Sequence, residues 1–276
     1  MALRKLIKKV KDLVINGKKV KCSFNKNGNR KVGSDIWTFN TLFGNHTYYI
    51  PELDIEVDGT CGKHCTGCIH ECYVMKSYRM YTKRNSDGTK GDFRKNACSV
   101  KYGHALNTIA MRADEDKMYM DLNNQIQRRK NKSKELIIRI HASGELETVS
   151  QLIVWIKLAR QNPNVIFYVY SKAYDIIVPT LLKGLVPGNL VILVSIWNEY
   201  GIAEYKQVEH LRNVKAFVVL TGFNYESHGI HVTTMCPAYR MDENGKVQLV
   251  HELTCHACGK CFRLLDGLKV IGCLPH

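Results

Sequence analysis

Four apolar runs separated by helix-like stretches constrain this chain more than any other feature. They are Leu136–His141 (LIIRIH), Val165–Tyr170 (VIFYVY), Leu190–Ile196 (LVILVSI) and Val214–Leu220 (VKAFVVL). Thr148-x-x-Gln151 has the form of a capping box that opens a helix. Val149, Leu152, Ile153, Ile156 and Ala159 then follow helical spacing. A short helix is expected at Asp175–Leu182, interrupted by Pro179 and stopped by Gly184, and another over residues 202–212. A fifth strand is expected at Gly229–Thr233. Continuous apolar strands joined by helices belong to a parallel sheet covered on both faces. The fold class is therefore α/β, either a full or partial (β/α) barrel or a doubly wound sheet.

Both architectures gather their chemistry at the C-terminal ends of the strands. Those ends read His141-Ala142-Ser143-Gly144-Glu145, Ser171-Lys172, Ser195 with Asn198, and Thr221-Gly222-Phe223-Asn224. Each turns polar directly after an apolar run. Ser143, Gly144, Glu145, Lys172, Ser195 and Asn198 are the candidate binding residues taken from these positions.

The cysteines carry the second signal. A chain of 276 residues with 45% hydrophobic content buries a core without staples. No stretch approaches the roughly 18 apolar residues of a membrane span. The lysine-broken start, MALRKLIKKVKDLVINGKK, lacks the apolar region of a secretion signal. A cytoplasmic protein without membrane contact is expected, and thiols stay reduced there. Its eleven cysteines then point to metal or catalysis, not to disulfides.

Four of them form the run Cys61-Gly-Lys-His-Cys65-Thr-Gly-Cys68-Ile-His-Glu-Cys72. Thiolates this closely spaced suit an iron–sulfur cubane, in which each iron offers one outward site. Structural zinc also takes four cysteines, usually as two separated pairs. A second set follows near the C-terminus: Cys236-Pro237, then Cys255, Cys258 and Cys261. Its spacing is that of the bacterial ferredoxin run, with the Cys-Pro element displaced upstream. Iron–sulfur and zinc remain open at both sets. Cys22, Cys98 and Cys273 stand alone and read as small buried hydrophobes.

The CxxxCxxC spacing at Cys61, Cys65 and Cys68 resembles the signature of radical S-adenosylmethionine (SAM) enzymes. Ser143-Gly144-Glu145 is similar to the superfamily's Gly-Gly-Glu segment. The Cys72-Tyr73 pair and the terminal cysteines further resemble small phage-encoded radical-SAM-like iron–sulfur proteins. The resemblance implies a partial (β/α) barrel with a C-terminal cysteine-rich cluster segment. It implies two [4Fe–4S] clusters, the first held by three cysteines with SAM on its fourth iron, and a reductant such as flavodoxin or ferredoxin. Glu145 would meet the SAM ammonium, Lys172 its carboxylate, and Ser195 and Asn198 its ribose or methionine. The motif departs from the family at Gly67, where an aromatic residue is usual, and Cys72 is a fourth thiol. Two arrangements stay open. Cys72 closes the first cluster, or the working triplet is Cys65, Cys68 and Cys72 with Tyr73 as the aromatic contact.

Three segments follow: a basic stretch at 1–58, a core at 59–221 and the cluster segment at 222–276. Net charge is +15, and residues 1–35 hold eleven Lys/Arg against two Asp. A second basic run lies at Arg128, Arg129, Lys130, Lys132 and Lys134. Such charge attracts polyanions. The rival expectation is thus a zinc- or Fe–S-stabilised protein that binds nucleic acid without catalysis.

Overall fold

The computed structural model describes residues 12–26, 33, 36–65, 68, 72–130, 135–220, 222–250 and 253–274, except the side chains at 65, 130 and 249. The basic stretch at 1–11, Lys132, Lys134, Thr221, His251 and the thiol of Cys65 lie outside the described residues.

In chain order the elements are β1 (Leu13–Ile15), β2 (Lys18–Val20), β3 (Ile36–Asn40), β4 (Thr47–Ile50), β5 (Ile55–Asp58), α1 (Tyr73–Tyr81), α2 (Ser99–Ala113) and α3 (Glu115–Lys130). Then come β6 (Leu136–Ser143), α4 (Val149–Gln161), β7 (Val165–Ser171), α5 (Tyr174–Leu182), β8 (Leu190–Ile196), α6 (Glu199–Lys206) and β9 (Val214–Val219). The chain ends with β10 (Thr234–Met235), β11 (Tyr239–Met241), β12 (Val247–Leu249), α7 (Cys255–Cys258) and β13 (Val270–Cys273).

Seven strands form one sheet in the order β10-β13-β9-β8-β7-β6-β3, and every neighbouring pair is parallel. The expected mixed α/β class with a parallel sheet is present. Among the described residues the strand order is linear, and no pairing closes a barrel. The sheet takes strands from all three sequence segments: β3 from the first, β6 to β9 from the second, β13 and β10 from the third. The fifth strand beside β9 is β13, not the expected Gly229–Thr233.

Strand periodicity divides the sheet into two unlike faces, because successive side chains point oppositely. Ile138, Ile140, Phe167, Val169, Ile192, Val194, Ala216 and Val218 join one core with residues of α2 to α6. The alternate residues Ile137, Tyr168, Val191 and Leu193 pack with Phe262, Cys255 and Cys261. Helices thus cover one face, and the C-terminal cysteine-bearing segment covers the other. The sheet is covered on both faces as expected, with the C-terminal segment in place of a helical layer on the second. The second face tolerates polar side chains because a cavity, not a packed helix, meets part of it.

Local signals read as expected where they act alone. The Thr148 side chain accepts the Gln151 N–H at 3.2 Å and caps α4. Asn198 does the same for α6, accepting the Gly201 N–H at 3.0 Å, so that helix starts at Glu199 and not at 202.

Candidate functional site

The connection from β3 to α1 carries the first cysteine run. It leaves the sheet at Asn40, makes the β4–β5 hairpin, and passes Thr60 and Cys61 into a short 3-10 turn at Gly62–Cys65. A cluster of Leu42, Phe43, Tyr48, Ile50, Val74, Tyr78 and Ala105 holds this lobe together. The run is therefore displayed from a packed base beside the C-terminal end of the sheet. Gly44 N–H donates to Cys61 Sγ at 3.1 Å.

The next strand, β6, ends in an irregular corner. The β3–β6 register shifts between Thr38 and Asn40, and His141 adopts φ 46°. Its Nδ1 lies 3.1 Å from Thr41 Oγ1, and it is buried. Burial holds the imidazole neutral, with its pKa down to about 3. Gly144 follows at φ 82°; a Cβ there would meet Thr41 Oγ1 at 1.9 Å and Thr60 Oγ1 at 2.5 Å. Only glycine allows this approach. Thr41 Oγ1 and Thr60 Oγ1 are 3.0 Å apart, and Glu145 N–H donates to Thr60 Oγ1 at 2.9 Å. A threonine pair thus stitches the corner of β6 to the residue before Cys61. The Tyr73 hydroxyl donates to the Ala142 carbonyl and ties the start of α1 to the same corner.

Glu145 is buried and oriented by its neighbours. Its Oε1 accepts from Ser171 Oγ at 2.9 Å and Leu146 N–H at 2.9 Å, and its Oε2 from Lys172 N–H at 2.8 Å. Burial works against the charge on Lys172, but the thiolate of Cys68 and the carboxylate of Glu145 outweigh it and raise its pKa. Ser195 Oγ accepts the Trp197 indole N–H at 3.1 Å.

A cavity of about 450 Å³ joins these parts. Its wall includes Cys61, Cys68, Cys72 and Tyr73 from the first run, Ser143, Gly144, Glu145, Lys172 and Ser195 from the strand ends, and Cys236, Cys255, Cys258 and Cys261 from the C-terminal segment. The volume is in the small-molecule range. Of the candidates taken from the sequence, only Asn198 with its capping role, and Cys65 with its undescribed thiol, are not on this wall. Asn198 lines a smaller neighbouring cavity of about 190 Å³ with Lys63, His64 and Asp175.

The second cysteine set has its own support. Thr254 caps α7 by accepting the Ala257 N–H at 3.3 Å. Lys215, buried in β9, donates to the carbonyls of Lys260 at 2.7 Å and Arg263 at 2.6 Å. Arg263 in turn pairs with Glu135 through two bonds at 3.0 and 2.8 Å. The loop carrying Cys258 and Cys261 is thus fastened to both β9 and the start of β6. Burial pushes the Cys261 thiol up to about 12, and negative charge on Cys236, Cys255 and Cys258 pushes the same way. A hydrogen bond from Tyr170 works the other way. Among the described residues, no three His, Cys, Asp or Glu side chains are drawn together as a formed metal site. The chemistry of the donors suits iron–sulfur or zinc, since soft thiolates select both.

Sequence reasoning missed Arg139, Tyr168 and Tyr170, which also line the cavity. The signal was an arginine inside the apolar run LIIRIH, a charge that a buried strand does not otherwise carry.

Comparison with curated proteins gives no match, and comparison with solved structures gives none. Comparison with protein families matches residues 16–264, most of the chain and nearly every wall residue of the cavity, to the family described as Gene product 88. The sheet apart from β13, the two cysteine sets and the cavity wall apart from Ile271 thus lie within that match, and the chain belongs to the Gene product 88 family.

Proposed function

We propose that this chain is a radical SAM enzyme with an auxiliary iron–sulfur cluster. One observation carries the reading: both cysteine sets and the Gly144-Glu145 corner line a single cavity at the C-terminal ends of parallel strands. A zinc knot that only stabilises a binding surface has no need for such a cavity.

On this reading the linear sheet, with helices on one face and the cavity on the other, is an opened (β/α) barrel. Cys61, Cys65 and Cys68 would hold the first [4Fe–4S] cluster, with Cys72 beside them, and Cys236, Cys255, Cys258 and Cys261 would hold the second. When bound and reduced, such a cluster would supply the one electron needed to cleave the S–C5′ bond of SAM to methionine and a 5′-deoxyadenosyl radical able to abstract hydrogen.

The chain's own residues bind and orient. Among the described residues Glu145 Oε2 accepts from a single donor, Lys172 N–H, which leaves an acceptor site for the SAM ammonium. The Lys172 ammonium meets the SAM carboxylate, and Ser195 contacts ribose or methionine. Gly144 lets that corner approach Thr41 and Thr60 closely. The aromatic residues Phe43, Tyr73 and Trp197 exclude water from the wall. A flavodoxin or ferredoxin is the reductant, and the cytoplasm the compartment.

Anaerobic purification tests the cluster assignment. Two four-iron clusters give about eight iron and about eight sulfide per chain. Zinc without sulfide overturns the reading in favour of a metal-stabilised binding protein.

A further inference from the structure

Arg139 sits on the cavity face of β6, where its register partner is Tyr168 of β7. A guanidinium does not lose its proton in a protein, so it is a permanent charge in this wall. The other arginines that line structural joints are paired: Arg94 with Asp92, Arg112 with Glu147, and Arg263 with Glu135. Arg139 has no such carboxylate among the described residues. Its Nε is buried without a hydrogen bond, and the Tyr170 ring is 4.8 Å from its guanidinium carbon.

The one carboxylate on the cavity wall cannot serve it. Among the described residues that carboxylate is Glu145, which Ser171, Leu146 and Lys172 aim elsewhere and whose remaining acceptor site is assigned above to the SAM ammonium. Burial is costly to this charge, but negative charge on the tyrosine hydroxyls around it and on Cys255 favours its charged form; with no carboxylate beside it, its guanidinium fork still gains from an anion that arrives with the ligand. Around Arg139 the wall is aromatic, with Tyr168, Tyr170, Phe217 and Phe262, and Cys255 is also near enough to act on its charge. Tyr170 and Phe217 lie edge to face at 4.9 Å, and Tyr168 and Phe262 pack tilted at 39° and 5.2 Å, so these rings are set by one another.

We propose that Arg139 anchors the oxyanion of the substrate, a carboxylate or phosphate carried on an apolar body that lies against Tyr168, Tyr170 and Phe217. Resting on the enzymatic reading above, this names the substrate class for the same cavity. It places the anion on the sheet, between the two cysteine sets, and leaves Lys172 and Glu145 to SAM. The fork of an arginine matches both oxyanions in a bidentate way.

The test is calorimetric titration of the anaerobically reconstituted full chain with phenyl phosphate and benzoate, and with benzyl alcohol as the neutral control. At least one anion is expected to bind, and the tighter one identifies the group. Arg139→Gln is expected to weaken that anion by roughly tenfold or more, with benzyl alcohol unaffected. Arg139→Lys keeps the charge but loses the fork, and a several-fold loss is expected; it decides the matter if the glutamine variant does not fold. Equal affinity in the folded variants, or no anion binding by wild type, overturns the proposal. So does a variant that loses the iron of one cluster and keeps its anion affinity, since Arg139 would then be a counter-charge to thiolates. Assaying 5′-deoxyadenosine on the same samples without probe separates the two failures. SAM cleavage without anion binding sinks only the Arg139 assignment. Arg139-dependent binding without SAM cleavage sinks only the radical reading.

Discussion

The backbone N–H of Glu145 donates to Thr60 Oγ1 at 2.9 Å, joining the corner of β6 to the residue that precedes Cys61. Thr60 is buried, and its hydroxyl also reaches the Leu42 carbonyl at 3.0 Å. One side chain thus fixes the distance between the two halves of the candidate SAM site. Replacing its hydroxyl by a methyl group in Thr60→Val leaves the Glu145 N–H buried without an acceptor. A loss of about 2 kcal/mol is expected, seen as a lower melting temperature by circular dichroism. Thr60→Ser keeps the acceptor and is expected to recover much of it.

Gly144→Ala tests the same corner by steric means. The new Cβ would fall 1.9 Å from Thr41 Oγ1 at φ 82°. Strain and displacement together are expected to cost about 3 kcal/mol. Gly245 is the control, because it has φ 74° with nothing within 4 Å of the position a Cβ would take. Gly245→Ala is expected to cost only the left-handed penalty, about 1 kcal/mol. Equal melting shifts for the two variants would show that the threonine pair yields and does not set the corner.

Asn198 was a binding candidate from its place after β8, and its position makes it a helix cap. Asn198→Ala is expected to destabilise by about 1 kcal/mol in chemical denaturation, whereas Asn198→Asp keeps an acceptor for the Gly201 N–H and is expected to match wild type. If both variants are equally destabilised, capping is not what the side chain contributes.

His104 gives a pH dependence. It is packed against Tyr78, whose hydroxyl lies 2.8 Å from its Nδ1, and burial holds its pKa down to about 3. In the unfolded chain the value returns to about 6.5, so between these limits the unfolded state binds the extra proton. Stability contributed by neutral His104 is full above about pH 6.5 and falls as pH drops toward 3, by up to about 5 kcal/mol. His104→Gln is expected to flatten this part of the stability curve, measured by denaturant unfolding from pH 7 to pH 4. An unchanged slope would mean that the imidazole is protonated in the fold.

The parts legible in the sequence are those with a single strong period. β6 to β9 were read from continuous apolar runs, and α4 from its capping box, because buried parallel strands and amphipathic helices leave such patterns. β3 was not resolved as a sheet strand within its Asn- and Gly-rich surroundings. Its five residues are all buried, yet Thr38 and Asn40 break the apolar run. β10 and β13 are two and four residues long, too short to show a period. Arg139 and Lys215 were hidden for another reason: each lies in an apolar run, and averaging over the run erases the one charge that matters. The cysteine sets were plain in sequence, but nothing local says that they share a cavity. That follows only from β3 and β6 being neighbours and from the C-terminal segment folding back over the second face.

The central claim is most directly tested by reductive SAM cleavage. The anaerobically reconstituted chain is reduced, mixed with SAM and assayed for 5′-deoxyadenosine by chromatography. The account predicts 5′-deoxyadenosine that depends on reductant, is abolished in Cys68→Ala and is strongly lowered in Glu145→Ala. A chain that carries its full iron and sulfide yet leaves SAM intact would contradict it, because the first cluster would then offer no open iron.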